Sequence, residues 1–333
     1  MIIKPKPLIS PIVKNTILTL VILIFPLIIM LFVSLVFFRV TDLIVLVGYI
    51  LVFAIIEIGF LFLSKDIIMR VLGARRIQTG WIVDMVRDVA SKANLPMPEV
   101  YIIPDLTPNA FAVGISPSRS AIGINSGLVD LLQPNEIRGV IAHEVAHIKN
   151  RDTLIMTVAV IFFNSLGSIM DYFGRVIMFS ASNSRNSGQL VLIGAAIWIF
   201  SLIFRLILAP IILLALSRTR EYVADETGAR LIRDPISLAD ALIKIHNFYY
   251  NIDFSLYESA EPIKKSISMM YIGSIKPKKT GFWEELFSTH PPVEKRVERL
   301  TELAKELGVI NLKKSNNRTK KISNNRTNRG DVG

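Results

Sequence analysis

His143-Glu144-Val145-Ala146-His147 sets two imidazoles four residues apart. On a helix, residues at i and i+4 lie on one face, one turn above the other. Two imidazole nitrogens at that spacing can bind one tetrahedral metal ion. Glu144 is rotated from His143 by about 100° and can reach a water held by that ion. Zinc lowers the pKa of such a water to about 7, and a neighbouring carboxylate can take its proton. The chemistry is metal-assisted hydrolysis. The chain holds only four histidines, two of them here. A chance His-Glu-x-x-His should arise in well under roughly one chain in a hundred.

The helix that must carry these residues opens at Pro134, which suits a first helical position, with Glu136 in the first turn. Two protein ligands do not complete a site, so a third is needed. Glu221 and Asp225 form a second pair four apart. In that reading Glu221 ligates the metal, and Asp225 orients a zinc histidine through its other ring nitrogen. Ala224 and Ala229 allow a close helix approach. The spacing fits an ordinary exposed acidic helix equally well. His246, within Ala241-Leu-Ile-Lys-Ile-His-Asn-Phe-Tyr249, reads as a helix-surface or core histidine.

Four apolar blocks surround this centre. Thr16–Phe38 is 23 residues without a charge, roughly 35 Å as a helix, enough to cross a hydrocarbon core of about 30 Å. It is too long for a signal peptide and lacks a small-residue cleavage site. Leu43–Leu63 is a second span, interrupted by Glu57, after a turn at Arg39-Val40-Thr41-Asp42. Thr153–Met170 and Asn186–Ser217 are the third and fourth, the last interrupted by Arg205. Glu57 and Arg205 are functional candidates that could pair, or snorkel independently. Lys and Arg flank both hairpins on the same side: Lys4, Lys6 and Lys14, then Lys65, Arg70, Arg75 and Arg76; Lys149 and Arg151, then Arg218 and Arg220. Both termini are therefore expected in the cytoplasm.

Between the hairpins the chain reads as soluble. Gly80–Ala93 has helical periodicity, and Glu99–Ile103 is a strand signal ended by Pro104. Phe111–Ile115 and Ala121–Asn125 read as a hairpin about Ser116-Pro-Ser-Arg-Ser120. Residues 218–305 look helical. With no cysteine, disulfides, thiolate metal sites and a cysteine nucleophile are excluded. The composition is 51% hydrophobic with a mean hydropathy of +0.48. The net charge of +11 does not make this a nucleic-acid protein, because residues 310–333 alone supply +6 of it. That tail repeats Ser-Asn-Asn-Arg-Thr and is expected to be disordered. It suits anionic headgroups, or simply solvent.

Four segments resemble HtpX-type membrane proteases, whose relatives include the CAAX-prenyl endoproteases. They are His143-Glu-Val-Ala-His-Ile-Lys-Asn-Arg-Asp152, Thr107-Pro-Asn-Ala-Phe-Ala-Val-Gly114, Ser217-Arg-Thr-Arg-Glu-Tyr-Val-Ala-Asp225 and Ser288-Thr-His-Pro-Pro-Val-Glu-Lys-Arg296. The resemblance covers roughly residues 10–305, in the same order. It implies a small α+β gluzincin (zincin-like) catalytic domain in an α-helical membrane protein with four transmembrane helices in two hairpins. The expected partition is 1–65, a first hairpin; 66–152, the substrate strand and metal helix; 153–217, a second hairpin; 218–309, the rest of the catalytic domain; and 310–333, the tail. The resemblance further implies Zn2+ held by His143, His147 and Glu221, and Glu144 as general base. Asn109-Ala110-Phe111 would hold substrate backbone as an added strand. His290 and Arg296 would support the transition state. The implied substrates are polypeptides, misfolded membrane proteins in particular, cut at the cytoplasmic face of the cell membrane.

Overall fold

The computed structural model describes residues 43–180, 187–204, 209–251 and 291–309, with positions 13, 16, 17, 19, 20, 24 and 28. The rest of Thr16–Phe38, the turn at 39–42, Arg205, His290, the Glu57 side chain and the tail from 310 lie outside the described residues. The chain divides into two compact units, Met1–Ile67 with Arg151–Ala215 and Ile68–Asn150 with Leu216–Gly333.

The first unit is helical. Helix α1 covers Leu43–Val71, α5 Asp152–Ser180 and α6 Ser187–Ile203. The third block is thus part of a helix of 29 residues, longer than its apolar stretch. Helices α5 and α6 cross with backbones nearly touching: a Cβ on Gly174 would meet Gly194 O at 2.9 Å, and one on Gly194 would meet Gly174 O at 2.7 Å. Among the described residues, no helix is long and apolar enough to cross a membrane. The side chains at several positions of α1 and α5 lie outside the described set.

The second unit holds a four-stranded sheet of order β1-β2-β4-β3: β1 Arg75–Ile77, β2 Glu99–Ile103, β3 Ala110–Ser116 and β4 Arg119–Asn125. Strand β2 runs parallel to β4, and the other two pairs are antiparallel. The chain enters it from α1 through a left-handed Gly73 (φ 63°), with Gly73 N–H bonded to Arg70 O and Ala74 N–H to Met69 O. This is the Schellman pattern that closes a helix at glycine. Strand β3 pairs with β4 from Ala110↔Ile124 onward and bulges between Gly114 and Ser116. A Cβ on Gly114 would meet Arg119 O at 2.2 Å, so only glycine fits there.

Helix α2 (Trp81–Lys92) buries Ile82, Val83, Val86, Val89 and Ala90, a stripe at helical spacing. Each large apolar side chain buried this way contributes about 1.5–3 kcal/mol. A short helix, α3 (Ser126–Leu131), follows β4 and leads into α4 (Pro134–Lys149). Helix α4 starts with Pro134 in its first turn, and Glu136 Oε2 accepts the Gln133 amide at 2.8 Å. The same oxygen accepts Lys244 Nζ at 2.8 Å, tying α4 to α8 (Pro235–Asn251). The other helices of this unit are α7 (Ala209–Ile232) and α9 (Val293–Glu306). The residues expected as one block, Asn186–Ser217, belong to both α6 and α7. Helix α7 then continues without interruption through Glu221 and Asp225.

Candidate metal centre

His143 and His147 come from α4, and Glu221 from α7. His143 Nε2 lies 3.1 Å from His147 Nε2 and 3.5 Å from Glu221 Oε2. His147 Nε2 lies 3.4 Å from Glu221 Oε1. The rings meet nearly edge-on, with 87° between their planes. A tetrahedral ion with ligand bonds of about 2.0–2.1 Å holds its donor atoms about 3.3–3.4 Å apart. The three donors therefore stand at the spacing zinc requires. Two histidines and one glutamate make the three-ligand set of an open catalytic site, with a fourth position for water or substrate. No other group of this kind occurs among the described residues.

A second layer of charge holds this set. Asp225 Oδ1 lies 3.0 Å from His143 Nδ1. The distance suits a hydrogen bond although the angle departs from the ideal. A proton on Nδ1 leaves the Nε2 lone pair facing the other donors. Arg296 Nε and Nη2 donate to the two Asp225 oxygens at 2.7 Å each, and Nη1 lies 3.4 Å from Glu221 Oε2. Burial pushes the Asp225 carboxyl up, but the Arg296 guanidinium outweighs it and holds it below the usual carboxylate range. Burial disfavours the charged His143 ring, yet Asp225 and Glu221 prevail and raise its pKa.

Backbone contact sets the distance between the two ligand-bearing helices. A Cβ on Gly228 would meet Ala142 C and O at 2.7 Å and His143 N at 2.8 Å. Without a side chain at 228, α7 rests directly on the α4 backbone at the first ligand. Ala224 and Ala229 flank this contact, both fully buried. Helix α8 approaches α4 the same way, since a Cβ on Gly139 would meet Leu238 Cα at 2.9 Å.

Glu144 is 3% exposed. Burial pushes its carboxyl above its ordinary value; His143 and His147 pull it down, Glu221 pushes it up, and the Ala112 amide donates to it. The register of β3 explains that amide. Asn125 N–H bonds to Asn109 O at 2.9 Å, so this pair is hydrogen-bonded. Bonded and non-bonded pairs alternate along an antiparallel ladder. Phe111 and Val113 therefore also turn their backbone groups toward β4, whereas Ala110 and Ala112 turn theirs to the edge that pairs with no other strand among the described residues. The loop before the strand is tightly held. Asp105 Oδ1 accepts the Thr107 amide at 2.8 Å and its hydroxyl at 2.7 Å, and Asn125 Nδ2 donates to Thr107 O at 3.1 Å.

Residues 76–304 match the model of Peptidase family M48, and that stretch contains every residue of this centre. The chain belongs to peptidase family M48. As a member of that family it is a zinc metalloprotease acting on peptides. It is 36% identical over 267 residues to a protease HtpX homolog of Aquifex aeolicus (strain VF5), covering 77% of this chain and 84% of that one. The protease HtpX homolog of Pyrococcus furiosus is 40% identical over 231 residues, covering 68% and 74%. That of Methanocaldococcus jannaschii is 39% identical over 253 residues, covering 74% and 84%. Among solved structures, the crystal structure of S. mikatae Ste24p superposes with a TM-score of 0.50 at 19% identity, covering 86% of this chain and 67% of that one. At that identity the likeness concerns the fold.

In this M48 protein, His143, Glu144, His147, Glu221, Asp225 and Arg296 come together in one site. Asn109, Ala110 and Phe111 lie at the start of the edge strand β3. Asn109 and Phe111 are fully buried, and Phe111 packs over Gly123. The edge group next to the site is Ala112, which sequence reasoning missed; only the pairing register distinguishes it from its neighbours. Gly228 was missed as well, although a glycine inside a helix costs roughly 1 kcal/mol and is a signal in itself. Arg296 is fully buried against Asp225 and Glu221. His246 lies half-buried on α8.

Proposed function

We propose that this M48 protein is a membrane-bound endopeptidase that cuts internal peptide bonds of misfolded membrane proteins at the cytoplasmic face of the cell membrane. The observation that carries the catalytic part is the convergence of three zinc donors beside Glu144, next to the outer edge of β3. His143, His147 and Glu221 would hold the ion, and Asp225 would orient His143. Bound zinc supplies Lewis acidity toward water and the scissile carbonyl. Glu144 takes the proton of the attacking water and returns it to the leaving nitrogen. Its buried setting, which raises its pKa, suits it to both tasks. Ala110 and the Ala112 carbonyl would offer backbone groups to an extended substrate, which fits a reader of unfolded chain rather than of one side chain. His290 rests on the resemblance alone, as a donor to the carbonyl oxygen.

The membrane part is supported by exposed apolar surface. On α1, Leu51, Val52, Ile55, Ile58, Phe60 and Leu63 are all more than half exposed. On α6, Leu192 is 71% exposed, with Ile193 and Ile199 also open. Apolar surface of that extent in water is uncommon, and lipid is its natural solvent. The glycine crossing of α5 and α6 is the packing that lipid-immersed helices favour. In this reading 1–65 and 153–217 are the two hairpins, and 66–152 with 218–309 form the catalytic domain.

The test is proteolysis by the purified protein. Incubated with unfolded membrane protein, it should yield internal cuts with zinc and none after zinc removal. Glu144→Gln should keep zinc and lose about 10²–10⁴ in rate. His290→Ala should keep zinc and lose about 10²–10³ in kcat. A Glu144→Gln protein with normal activity would overturn the mechanism. Reporter fusions at positions 41 and 181 should lie opposite those at 10 and 310; a cytoplasmic reporter at 181 would remove the second hairpin.

A further inference from the structure

We propose that Arg296 is a positioning residue: it acts on the metal centre through Asp225 and Glu221 and does not donate to the reacting carbonyl.

A guanidinium has a fixed set of N–H donors on three nitrogens. Nε and Nη2 each spend one on an Asp225 oxygen at 2.7 Å, the two-pronged arrangement that best matches a carboxylate. Nη1, the third nitrogen, lies 3.4 Å from Glu221 Oε2, an ion pair with a metal ligand. The side chain has no exposed surface. Swinging the guanidinium away from Asp225 would leave that carboxylate buried and uncompensated, which is strongly unfavourable, so its position is fixed behind the ligands. Two of the three guanidinium nitrogens are thus bonded to Asp225, and the third faces Glu221 at ion-pair distance without a hydrogen bond.

Charge explains why this cation is there. Glu144, Glu221 and Asp225 are three carboxyl groups, each about 3% exposed, gathered around two imidazoles. Arg296 and one divalent cation together balance three negative charges. Lysine would keep the charge but not the fork, so it could not grip both Asp225 oxygens while facing Glu221.

Arg296 also makes the centre depend on a distant segment. It lies on α9, 71 residues beyond Asp225. Val297, Leu300, Leu303 and Ala304 bury the inner face of that helix. Outside it, Arg299 stacks on the Tyr222 ring at 3.8 Å, and Glu306 pairs with Arg230 at 2.8 Å. Tyr222 and Arg230 both belong to α7, so α9 docks along the helix that bears Glu221 and Asp225.

The experiment compares wild type, Arg296→Met, Arg296→Lys, Asp225→Asn and the Asp225→Asn/Arg296→Met double variant as full-length purified proteins. Zinc affinity is read by competition with a chromophoric chelator, and kcat is read across zinc concentrations. Arg296→Met should weaken zinc binding on the order of 10–100-fold, as changes behind a ligand do. Arg296→Lys should weaken it less, and most of kcat should return at saturating zinc. The double variant should bind zinc about as weakly as the worse single variant, because both break one chain of contacts. With cobalt in place of zinc, Arg296→Lys should shift the visible absorption, which reports ligand geometry. Unchanged zinc affinity with kcat lowered about 10²–10³-fold at every zinc concentration would make Arg296 a transition-state donor and overturn the proposal. Additive losses in the double variant would overturn it too. If Arg296→Met does not fold, as judged by circular dichroism, Arg296→Lys decides by the same readouts. The proposal rests on the ligand set above. A wild-type protein that binds no zinc defeats that set, whereas zinc binding indifferent to Arg296 defeats only this inference.

Discussion

Helices α7 and α9 are joined by two arginine–carboxylate clusters of similar chemistry and opposite surroundings. Arg296 grips Asp225 in the interior, where the arginine has no exposed surface. Five positions after Asp225, Arg230 meets Glu306 at 2.8 Å and Glu226 at 3.0 Å, with Glu306 61% exposed. The bond lengths barely differ. The difference lies in what replaces a lost partner. At the surface water solvates the abandoned charge, and such pairs contribute about 0–1 kcal/mol. In the interior nothing does, and breaking one side costs about 3–5 kcal/mol. Only the buried cluster touches the metal ligands, so it alone should govern both stability and zinc.

Three substitutions test this contrast. Asp225→Ala leaves Arg296 buried and charged without its two-pronged partner, so unfolding free energy should fall by about 3–5 kcal/mol in a denaturant titration; a loss below about 1 kcal/mol would mean the interior pair behaves like a surface one. Gly228→Ala forces a Cβ against the α4 backbone at Ala142 and His143. It should cost about 1–3 kcal/mol and weaken zinc binding, since Glu221 and Asp225 move with α7. Glu306→Ala removes a surface partner. Its cost should stay below about 1 kcal/mol, shrink further at high salt, and leave zinc binding unchanged. A zinc defect in Glu306→Ala would show that α9 docking is far more delicate than its buried face suggests.

How much of this was legible in the sequence follows from the range of each interaction. The metal helix was readable because its signals are local: Pro134 at the start, Glu136 in the first turn, histidines one turn apart. Strand β2 was read at its observed limits, and the hairpin of β3 and β4 to within two residues, because alternation and Pro104 mark them. Strand β1 was not anticipated, as three residues with two arginines carry no apolar pattern, and its pairing with β2 is what defines it. The long run of α7 past Ser217 was hidden by a change from apolar to charged residues within one helix. Asp225 was expected to meet a histidine. Its grip by Arg296 depends on a helix 71 residues away, which no local pattern encodes. The same holds for Gly228 and Ala112, whose importance lies in a helix crossing and a strand register.

The most direct test of the metal centre is the zinc content of Glu221→Ala after exhaustive dialysis, measured beside wild type. Wild type should hold about one zinc per chain, and the variant, left with two histidine donors, should hold almost none and cut no peptide. A variant that keeps zinc at wild-type stoichiometry would show that another residue completes the site and that the convergence of His143, His147 and Glu221 is not the metal centre.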